Sequence, residues 1–283
     1  MRIAVLGTGA MGSRMAVALL RGGHAVTVWN RTSARALPLV EQGASLASSP
    51  RAAADDAQVV LAMVRDDEAS RQVWLSKDGA LAAMSAEAIG IESSTLSAKW
   101  VRELATSFAA HGVGFLDAPV VGTRAQADTA SLIHLIGGDV AIVARATPVL
   151  SAIGGVAHHV GPAGSGAVMK LVVNAFLGIQ VAALGELLGA AAQMGLDRRR
   201  AGEVLIEMPS CSASAKGVTL AMLARNFAPA FPVELVEKDL GYLADETKPG
   251  SAPLNSAARA VFVQAITAGL AADNMTAVAK LYE

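Results

Sequence analysis

The feature that most constrains this chain is a glycine-rich run near its start, Gly7-Thr8-Gly9-Ala10-Met11-Gly12. It follows the strand-like run Ile3–Leu6 directly and precedes Ser13–Arg21, whose apolar residues have helical spacing. At such a strand-to-helix turn, the first glycine permits the tight turn, the second lets the backbone approach a pyrophosphate, and the third lets the helix pack on the sheet. The helix N-terminus adds amide donors and a favourable dipole for phosphates.

The context on both sides of the motif therefore favours a dinucleotide site over a plain glycine-rich turn. The residues predicted to contact the cofactor at this turn are Gly7, Gly9, Ala10, Met11 and Gly12.

The end of the second predicted strand, Ala25–Trp29, indicates which cofactor is bound. An NAD-preferring site normally has Asp or Glu there, which accepts hydrogen bonds from the ribose hydroxyls. This chain has Asn30-Arg31-Thr32 instead. Asn30 carries no charge to repel a 2′-phosphate, Arg31 offers a fork of donors to bind one, and Thr32 adds a hydroxyl. The sequence thus predicts NADP(H), the alternative being that Arg31 is only a solvated surface arginine.

Up to about Val160, short apolar runs alternate with alanine-rich helical stretches. The strand-like runs are Ile3–Leu6, Ala25–Trp29, Val59–Val64, Ala88–Glu92, Gly114–Asp117 and Ser131–Ile136. The segments between them are long enough for crossover helices, which is typical of a parallel, doubly wound α/β sheet of the Rossmann type. Polar residues at the strand ends would lie where such sheets bind ligands.

The pattern changes after Gly161-Pro162. One long helical stretch runs from Ser165 to Met194 and is ended by Gly195, and the remainder of the chain is predicted to be helices broken by prolines. The sequence therefore predicts a Rossmann-type NADP-binding domain over 1–162, a long interdomain helix over 163–194, and an all-α C-terminal domain over 195–283 for substrate binding and oligomerisation. Because the long helix is apolar nearly all round, it should be buried between other elements or subunits, which predicts a homo-oligomer.

Composition excludes several other classes of protein. Hydrophobic residues make up 53% of the 283 residues and the net charge is −1, so the core can be large and there is no basic excess for nucleic acid. The single cysteine, Cys211, cannot form an internal disulfide. No signal peptide or metal-binding motif is recognised, and polar residues interrupt the most apolar stretch, Leu171–Leu188, so no membrane span is expected. We expect a cytoplasmic protein.

Two polar residues on the long helix are candidates for catalysis. Lys170 and Asn174 are spaced i, i+4 and so project from one face of an otherwise apolar helix. A lysine in apolar surroundings is costly unless paired, and desolvation favours loss of its proton. Such a group suits proton delivery to a carbonyl oxygen while hydride reaches the carbon. The alternative is a lysine that extends to solvent beside a structural asparagine.

Four ordered motifs resemble the β-hydroxyacid dehydrogenase family, which includes 3-hydroxyisobutyrate dehydrogenase and the glyoxylate/succinic semialdehyde reductases. Gly7–Gly12 resembles the nucleotide motif, Asp117–Gly122 the substrate loop, Gly164–Asn174 the catalytic helix, and Phe231 with Lys238–Leu240 the C-terminal signature. The chain most resembles the NADPH-using glyoxylate/succinic semialdehyde reductase branch in the stretches Val26–Thr32, Gly122–Leu135 and Phe231–Leu240. It implies reduction of a small aldehyde or keto acid to the hydroxy acid, a C-terminal domain like that of 6-phosphogluconate dehydrogenase, and a homodimer or homotetramer.

The resemblance also implies roles for individual residues. Lys170 would be the catalytic acid/base, Asn174 would position the substrate, and Lys238 would reach both nicotinamide and substrate. Thr95 would contact the nicotinamide ribose, and the loop Met63-Val64-Arg65 would pass the adenosine side of the cofactor. The alternatives are that Thr95 is a helix cap and that Lys238 is a surface charge.

The chain departs from the family at the substrate loop, which normally reads D-A-P-V-S-G. Val121 replaces the serine that donates to the substrate carboxylate, and loss of a donor to a buried carboxylate costs about 1–3 kcal/mol. Thr123 or Arg124 could bind the anion instead, or the substrate lacks a carboxylate at this place. The residues predicted to bind substrate are Val121, Gly122, Thr123, Lys170, Asn174, Phe231 and Lys238.

Two other functions are compatible with the sequence. An imine reductase-like enzyme on the same scaffold is suggested by Val121 and by the run Val26–Thr32, both of which resemble that group, whereas Lys170 argues against it. A non-catalytic NADPH-binding protein would not need Lys170, Asn174 and Lys238 together.

Overall fold

A nine-stranded sheet forms the first part of the chain in the computed structural model, which describes residues 1–283. The strands are β1 (Arg2–Leu6), β2 (Ala25–Trp29), β3 (Ser45–Leu46), β4 (Val59–Ala62), β5 (Ile89–Glu92), β6 (Gly114–Asp117), β7 (Val120–Val121), β8 (Leu132–Gly138) and β9 (Gly154–Gly161). Their order is β3-β2-β1-β4-β5-β6-β8-β7, with β9 paired to β8. The predicted α/β, Rossmann-type fold is confirmed.

The sequence predicts a parallel sheet, but the observed sheet is mixed. β1 to β6 pair in parallel, whereas β8 runs antiparallel to β6 and β7 and parallel to β9. The runs predicted for β2 and β6 have the observed bounds, and the run predicted as Val59–Val64 ends at Ala62. The sequence does not predict β3, β7 and β9. β3 and β7 have only two residues, too few to show a hydrophobic period, and β9 exposes most of its residues.

Helices cover both faces of the sheet, so its central strands are buried on both sides. Along β1, Ile3 and Val5 join one apolar core while Ala4 and Leu6 join the other. This explains the continuous apolar runs, since a strand covered on both faces needs no polar alternation. The carboxyl ends of the parallel strands therefore form one edge at which loops can bind a ligand.

The helices divide between two compact units, Met1–Lys170 and Leu171–Glu283. They are α1 (Gly12–Arg21), α2 (Leu37–Val40), α3 (Pro50–Ala54), α4 (Asp67–Leu75), α5 (Ala98–Ala110), α6 (Arg124–Asp128), α7 (Val140–Ile153), α8 (Ser165–Gln193), α9 (Arg198–Leu205), α10 (Ala213–Leu223), α11 (Val233–Glu246) and α12 (Pro253–Thr267). Three 3-10 segments occur at Ser33–Arg35, Ala80–Ala83 and Met275–Tyr282. The division lies inside α8, which the sequence predicts to be a segment of its own.

The second unit is all-helical, and α8 supplies part of its core. Val181 from α8 packs with Val236 and Leu240 of α11 and with Phe262 of α12. By length and composition α8 is the one helix able to cross a membrane, but half of its most apolar window is buried within the protein, as in a core helix. The opposite side of α8 is exposed.

Candidate functional site

The glycine turn after β1 has the close contacts that its sequence predicts. Gly7 has a φ of 97°, a conformation that side chains disfavour, and its N–H donates to the carbonyl of Trp29 at 2.8 Å. A side chain on Gly7 would overlap the carbonyl of Met63, and one on Gly12 would overlap the carbonyl of Gly7. No atom lies within 4 Å of the place where a Cβ on Gly9 would be, so the backbone is open to a ligand there.

The N-terminus of α1 is available to an anion. No side chain caps this helix at Met11, so amide groups of its first turn are not occupied by a capping oxygen. Ala10 is exposed and Met11 is partly exposed at the same turn. An uncapped helix start beside an open glycine backbone fits the pyrophosphate of a dinucleotide.

Asn30 has a structural role that sequence reasoning missed. Its Oδ1 accepts the N–H of Thr8 at 3.0 Å, and its Nδ2 donates to the carbonyl of Thr32 at 2.9 Å. The amide thus ties the glycine turn to the segment after β2. Arg31 and Thr32 are exposed, and the guanidinium of Arg31 makes no hydrogen bond or ion pair within the chain. Arg31 is therefore available to a ligand, which fits the predicted 2′-phosphate site.

The loops after β4 and β5 lie against each other, which brings together two predicted cofactor-binding segments. The N–H of Val64 donates to Oγ of Ser94 at 2.7 Å. Thr95, the next residue, is partly exposed. It is not a helix cap, because α5 is capped by Ser97, whose Oγ accepts the N–H of Trp100 at 3.1 Å.

The start of α8 is fixed by Asp117, the last residue of β6. Its Oδ1 accepts the N–H of Gly164 at 2.7 Å and its Oδ2 accepts the N–H of Ala167 at 2.8 Å. Burial raises the pKa of the Asp117 carboxyl, and hydrogen bonds from these amide groups oppose that effect. A side chain on Gly166 would overlap the carbonyl of Leu135. The strand therefore determines where α8 begins.

Lys170 lies one turn further along α8 and is buried, with 8% of the residue exposed. A lysine extending to solvent would be far more accessible, so the alternative of a solvated side chain is wrong. Asn174 follows one turn later on the same continuous helix and is 4% exposed. The structure thus places both predicted catalytic residues on α8 away from bulk solvent.

In the second unit, Asn174 and Lys238 are joined by a residue to which the sequence analysis assigns no role, Asp239. Asn174 Nδ2 donates to Asp239 Oδ2 at 2.6 Å, and Lys238 Nζ lies 2.8 Å from Asp239 Oδ1. Because a carboxylate can only accept, the amide of Asn174 must turn its nitrogen towards Asp239. The side chain of Lys238 is 16% exposed and also lies 4.5 Å from the centroid of the Tyr242 ring, so it is not a plain surface charge.

Sequence spacing gives no sign of the pairing between Lys238 and Asp239, since adjacent residues on a helix do not normally face each other.

Phe231 precedes α11 and packs against the apolar core of the second unit. Its N–H donates to Oδ1 of Asn274 at 3.0 Å.

In the loop after β6, which the sequence predicts to bind substrate, some polar groups are already used within the chain. Val121 belongs to β7 and pairs with Ile133 through the backbone. Thr123 caps α6 in a reciprocal arrangement with Gln126, in which Thr123 Oγ1 and the N–H of Gln126 are 3.3 Å apart. In contrast, Nε of Arg124 is enclosed without a hydrogen-bond partner. Of the two residues predicted to replace the missing serine, Arg124 retains an unused donor.

Each half of the chain matches a known protein family. Residues 2–161 match the NAD binding domain of 6-phosphogluconate dehydrogenase. Residues 164–282 match the family described as NAD-binding of NADP-dependent 3-hydroxyisobutyrate dehydrogenase. The two matches meet close to the start of α8 and together cover nearly the whole chain.

Individual relatives are similar over most of their length. A 3-hydroxyisobutyrate dehydrogenase of Pseudomonas aeruginosa is 36% identical over 92% of this chain and 90% of its own. The chloroplastic glyoxylate/succinic semialdehyde reductase 2 of Arabidopsis thaliana is 33% identical over 98% of this chain and 78% of its own. The structure of a Mycobacterium tuberculosis 3-hydroxyisobutyrate dehydrogenase with L-serine has a TM-score of 0.88 at 30% identity, covering 99% and 98% of the two chains.

Proposed function

Because the chain belongs to the β-hydroxyacid dehydrogenase family and is a nicotinamide-dependent oxidoreductase, we propose that it reduces a small aldehyde or keto acid with NADPH. The product would be the corresponding hydroxy acid, and the substrates would be of the glyoxylate or succinic semialdehyde type. The observation that carries this proposal is the buried Lys170 on a helix whose start Asp117 fixes.

In this mechanism Lys170 Nζ donates a proton to the carbonyl oxygen of the substrate as negative charge develops there. The reduced nicotinamide, when bound, supplies the hydride to the carbonyl carbon. Asn174 holds the substrate with the part of its amide that Asp239 does not occupy. The open backbone at Gly9 and the uncapped start of α1 would hold the pyrophosphate.

The preference for NADPH rests on the segment after β2. It has no carboxylate to accept from the ribose, and Arg31 is exposed and unpaired. We expect Arg31→Ala to raise the Kd for NADPH by about 10- to 100-fold, because a hydrogen bond to a charged group contributes about 1.5–3 kcal/mol. The Kd for NADH, which lacks the 2′-phosphate, should not change. Both constants can be measured from the fluorescence of the reduced cofactor.

A matched control is Arg199→Ala in the second unit, which removes another exposed arginine with a 67% exposed side chain. This variant should bind NADPH as the unmodified protein does. If Arg31→Ala leaves NADPH binding unchanged, or if the unmodified protein binds NADH equally well, the proposed cofactor preference is wrong.

We propose that Arg124 binds the carboxylate of the substrate. Val121 has no donor, and the hydroxyl of Thr123 is engaged in capping α6, whereas Nε of Arg124 is enclosed without an acceptor. Burying such a donor is costly until an acceptor arrives. A substrate carboxylate would supply that acceptor, and an arginine fork matches its geometry.

A substrate panel tests this function. NADPH oxidation is followed with glyoxylate, succinic semialdehyde, an uncharged aldehyde of similar length and a cyclic imine. We expect turnover of the two carboxylated aldehydes, and Arg124→Ala should raise their KM while leaving that of the uncharged aldehyde unchanged. Turnover of the imine alone would favour the imine reductase function that Val121 suggests, and NADPH binding without any turnover would indicate a non-catalytic protein.

We also propose that a second copy of the chain covers the exposed side of α8. Phe176 and Leu187 are 64% and 59% exposed there, and Val172 lies on the same side. Exposed apolar patches of this kind are typical of interfaces between subunits. Size-exclusion chromatography with light scattering should give at least twice the 28.7 kDa mass of one chain, and a monomer would contradict the proposal.

A further inference from the structure

Glu92, the last residue of β5, is a completely buried carboxylate that the mechanism above does not use. Its Oε1 accepts the N–H of Ser94 at 2.9 Å. Its Oε2 accepts the hydroxyl of Ser70 at 2.6 Å and the indole N–H of Trp74 at 2.8 Å. Ser70 and Trp74 belong to α4, so this carboxylate joins α4 to the loop after β5.

A buried carboxylate is costly to maintain, since burial raises the pKa of Glu92 while its hydrogen bonds from Ser70, Ser94 and Trp74 lower it. The N–H groups of Trp74 and Ser94 can only donate, so both oxygens of Glu92 must accept. Oε1 holds the backbone N–H of Ser94, whereas Oε2 has two donors from α4, so the loss of one of them still leaves the carboxylate attached to α4. A buried apolar residue would avoid the desolvation cost but could not hold the backbone of Ser94.

A second carboxylate holds the other end of the same loop. Asp67 Oδ1 accepts the N–H of Ser97 at 2.9 Å, and Asp67 Oδ2 accepts the hydroxyl of Ser97 at 2.6 Å. Thr95 lies between the two anchored serines, and it is the residue of 92–96 that is partly exposed. Ser94 in turn accepts the N–H of Val64, so the loop after β4 is fixed by the same contacts.

We propose that Glu92 is a positioning residue for the cofactor, which acts through the backbone of Ser94 to hold Thr95 against the nicotinamide ribose. This inference rests on the proposed function, because it takes Thr95 to be a cofactor contact. Glu92 itself touches no cofactor. Its role is to keep the Thr95 hydroxyl in place before the cofactor arrives, so that binding does not have to order the loop.

The test variant is Glu92→Met, which keeps the length of the side chain but removes both acceptor oxygens. The N–H of Ser94 then has no acceptor in this side chain, so the restraint on the backbone next to Thr95 is lost. We expect the Kd and KM for NADPH to rise about tenfold, with the KM of the aldehyde unchanged. The matched control is Trp74→Phe, which removes a donor from Oε2 and leaves the Ser94 contact intact.

A double-mutant cycle with Thr95→Ala separates positioning from general destabilisation. If Glu92 acts through Thr95, Glu92→Met should raise the Kd for NADPH in the unmodified protein but not in the Thr95→Ala background. Trp74→Phe should lower the melting temperature without affecting NADPH binding. Should Glu92→Met not fold, Glu92→Asp enters the same cycle, since its side chain is one CH₂ shorter and withdraws the carboxylate from the N–H of Ser94.

Equal effects of Glu92→Met in both backgrounds, or equal NADPH affinity of Glu92→Met and Trp74→Phe, would overturn the inference. So would a Thr95→Ala variant that binds NADPH normally. Because the cycle measures cofactor binding directly, it gives a result even if none of the substrates in the panel is turned over. Failure of the proposed reaction and failure of this inference are therefore distinguishable.

Discussion

Replacement of Lys170 by alanine is expected to lower kcat for aldehyde reduction by about 10²- to 10⁴-fold, the usual contribution of a positioned general acid. Lys170 is 8% exposed, so solvent has little access to deliver the proton in its place. Because a proton donor acts on the reacting oxygen, the Kd for NADPH should stay within about twofold of its original value. Stopped-flow measurement of NADPH absorbance, with cofactor binding followed separately, gives both quantities.

Two variants show whether the loss is due to proton transfer. Lys170→Arg keeps the positive charge but cannot release a proton near neutral pH, so it should be as inactive as the alanine variant. Lys216→Ala removes an exposed lysine on α10 and should retain full activity. A Lys170→Ala enzyme with more than about a tenth of the original kcat would exclude Lys170 as the general acid.

Asp117→Asn is expected to have the second-largest effect, because it acts on stability and on catalysis together. The asparagine NH₂ must oppose the N–H of either Gly164 or Ala167, and a buried donor without an acceptor costs about 1–3 kcal/mol. Urea denaturation should show a decrease of that size in the free energy of unfolding. Since Lys170 lies one turn beyond Ala167, a shift in the start of α8 should also lower kcat/KM by about 10- to 100-fold.

Asp139→Asn is the matched control for this prediction. Asp139 also caps a helix, α7, where its Oδ1 accepts the N–H of Ala141 at 2.7 Å, but it is exposed. Asparagine caps helices about as well as aspartate, so stability should change by less than about 0.5 kcal/mol and activity should not change. If the two variants behave alike, the buried contact of Asp117 has no special role in placing α8.

Much of the fold could be predicted because the relevant signals are local. The strand-to-helix turn at Gly7–Gly12, the apolar runs of β2 and β6 and the long helix from Ser165 all follow from residue spacing. The antiparallel course of β8 could not be predicted, because an apolar run has no direction until its partners are known. β9 could not be predicted because it begins with two glycines and its side chains are mostly exposed, so it has neither β propensity at its start nor a buried face.

The same distinction between local and long-range signals applies to the candidate site. Residues in motifs, such as Gly9 and Lys170, could be identified from their neighbours in sequence. The groups that hold them could not, because Asp239 contacts Asn174 across 65 positions and Asn30 contacts Thr8 across 22. Such long-range hydrogen bonds depend on folded geometry and leave no periodic trace in the sequence.

In the loop after β6, the position of the backbone does not depend on the side chain at position 121. Val121 is held by backbone pairing with Ile133, and the next helix turn is secured by Thr123 and Gln126. Neither restraint depends on what the side chain at 121 is. Exchange of that single side chain should therefore leave the rest of the loop in register, and in the proposed reductase it would change which substrates are accepted.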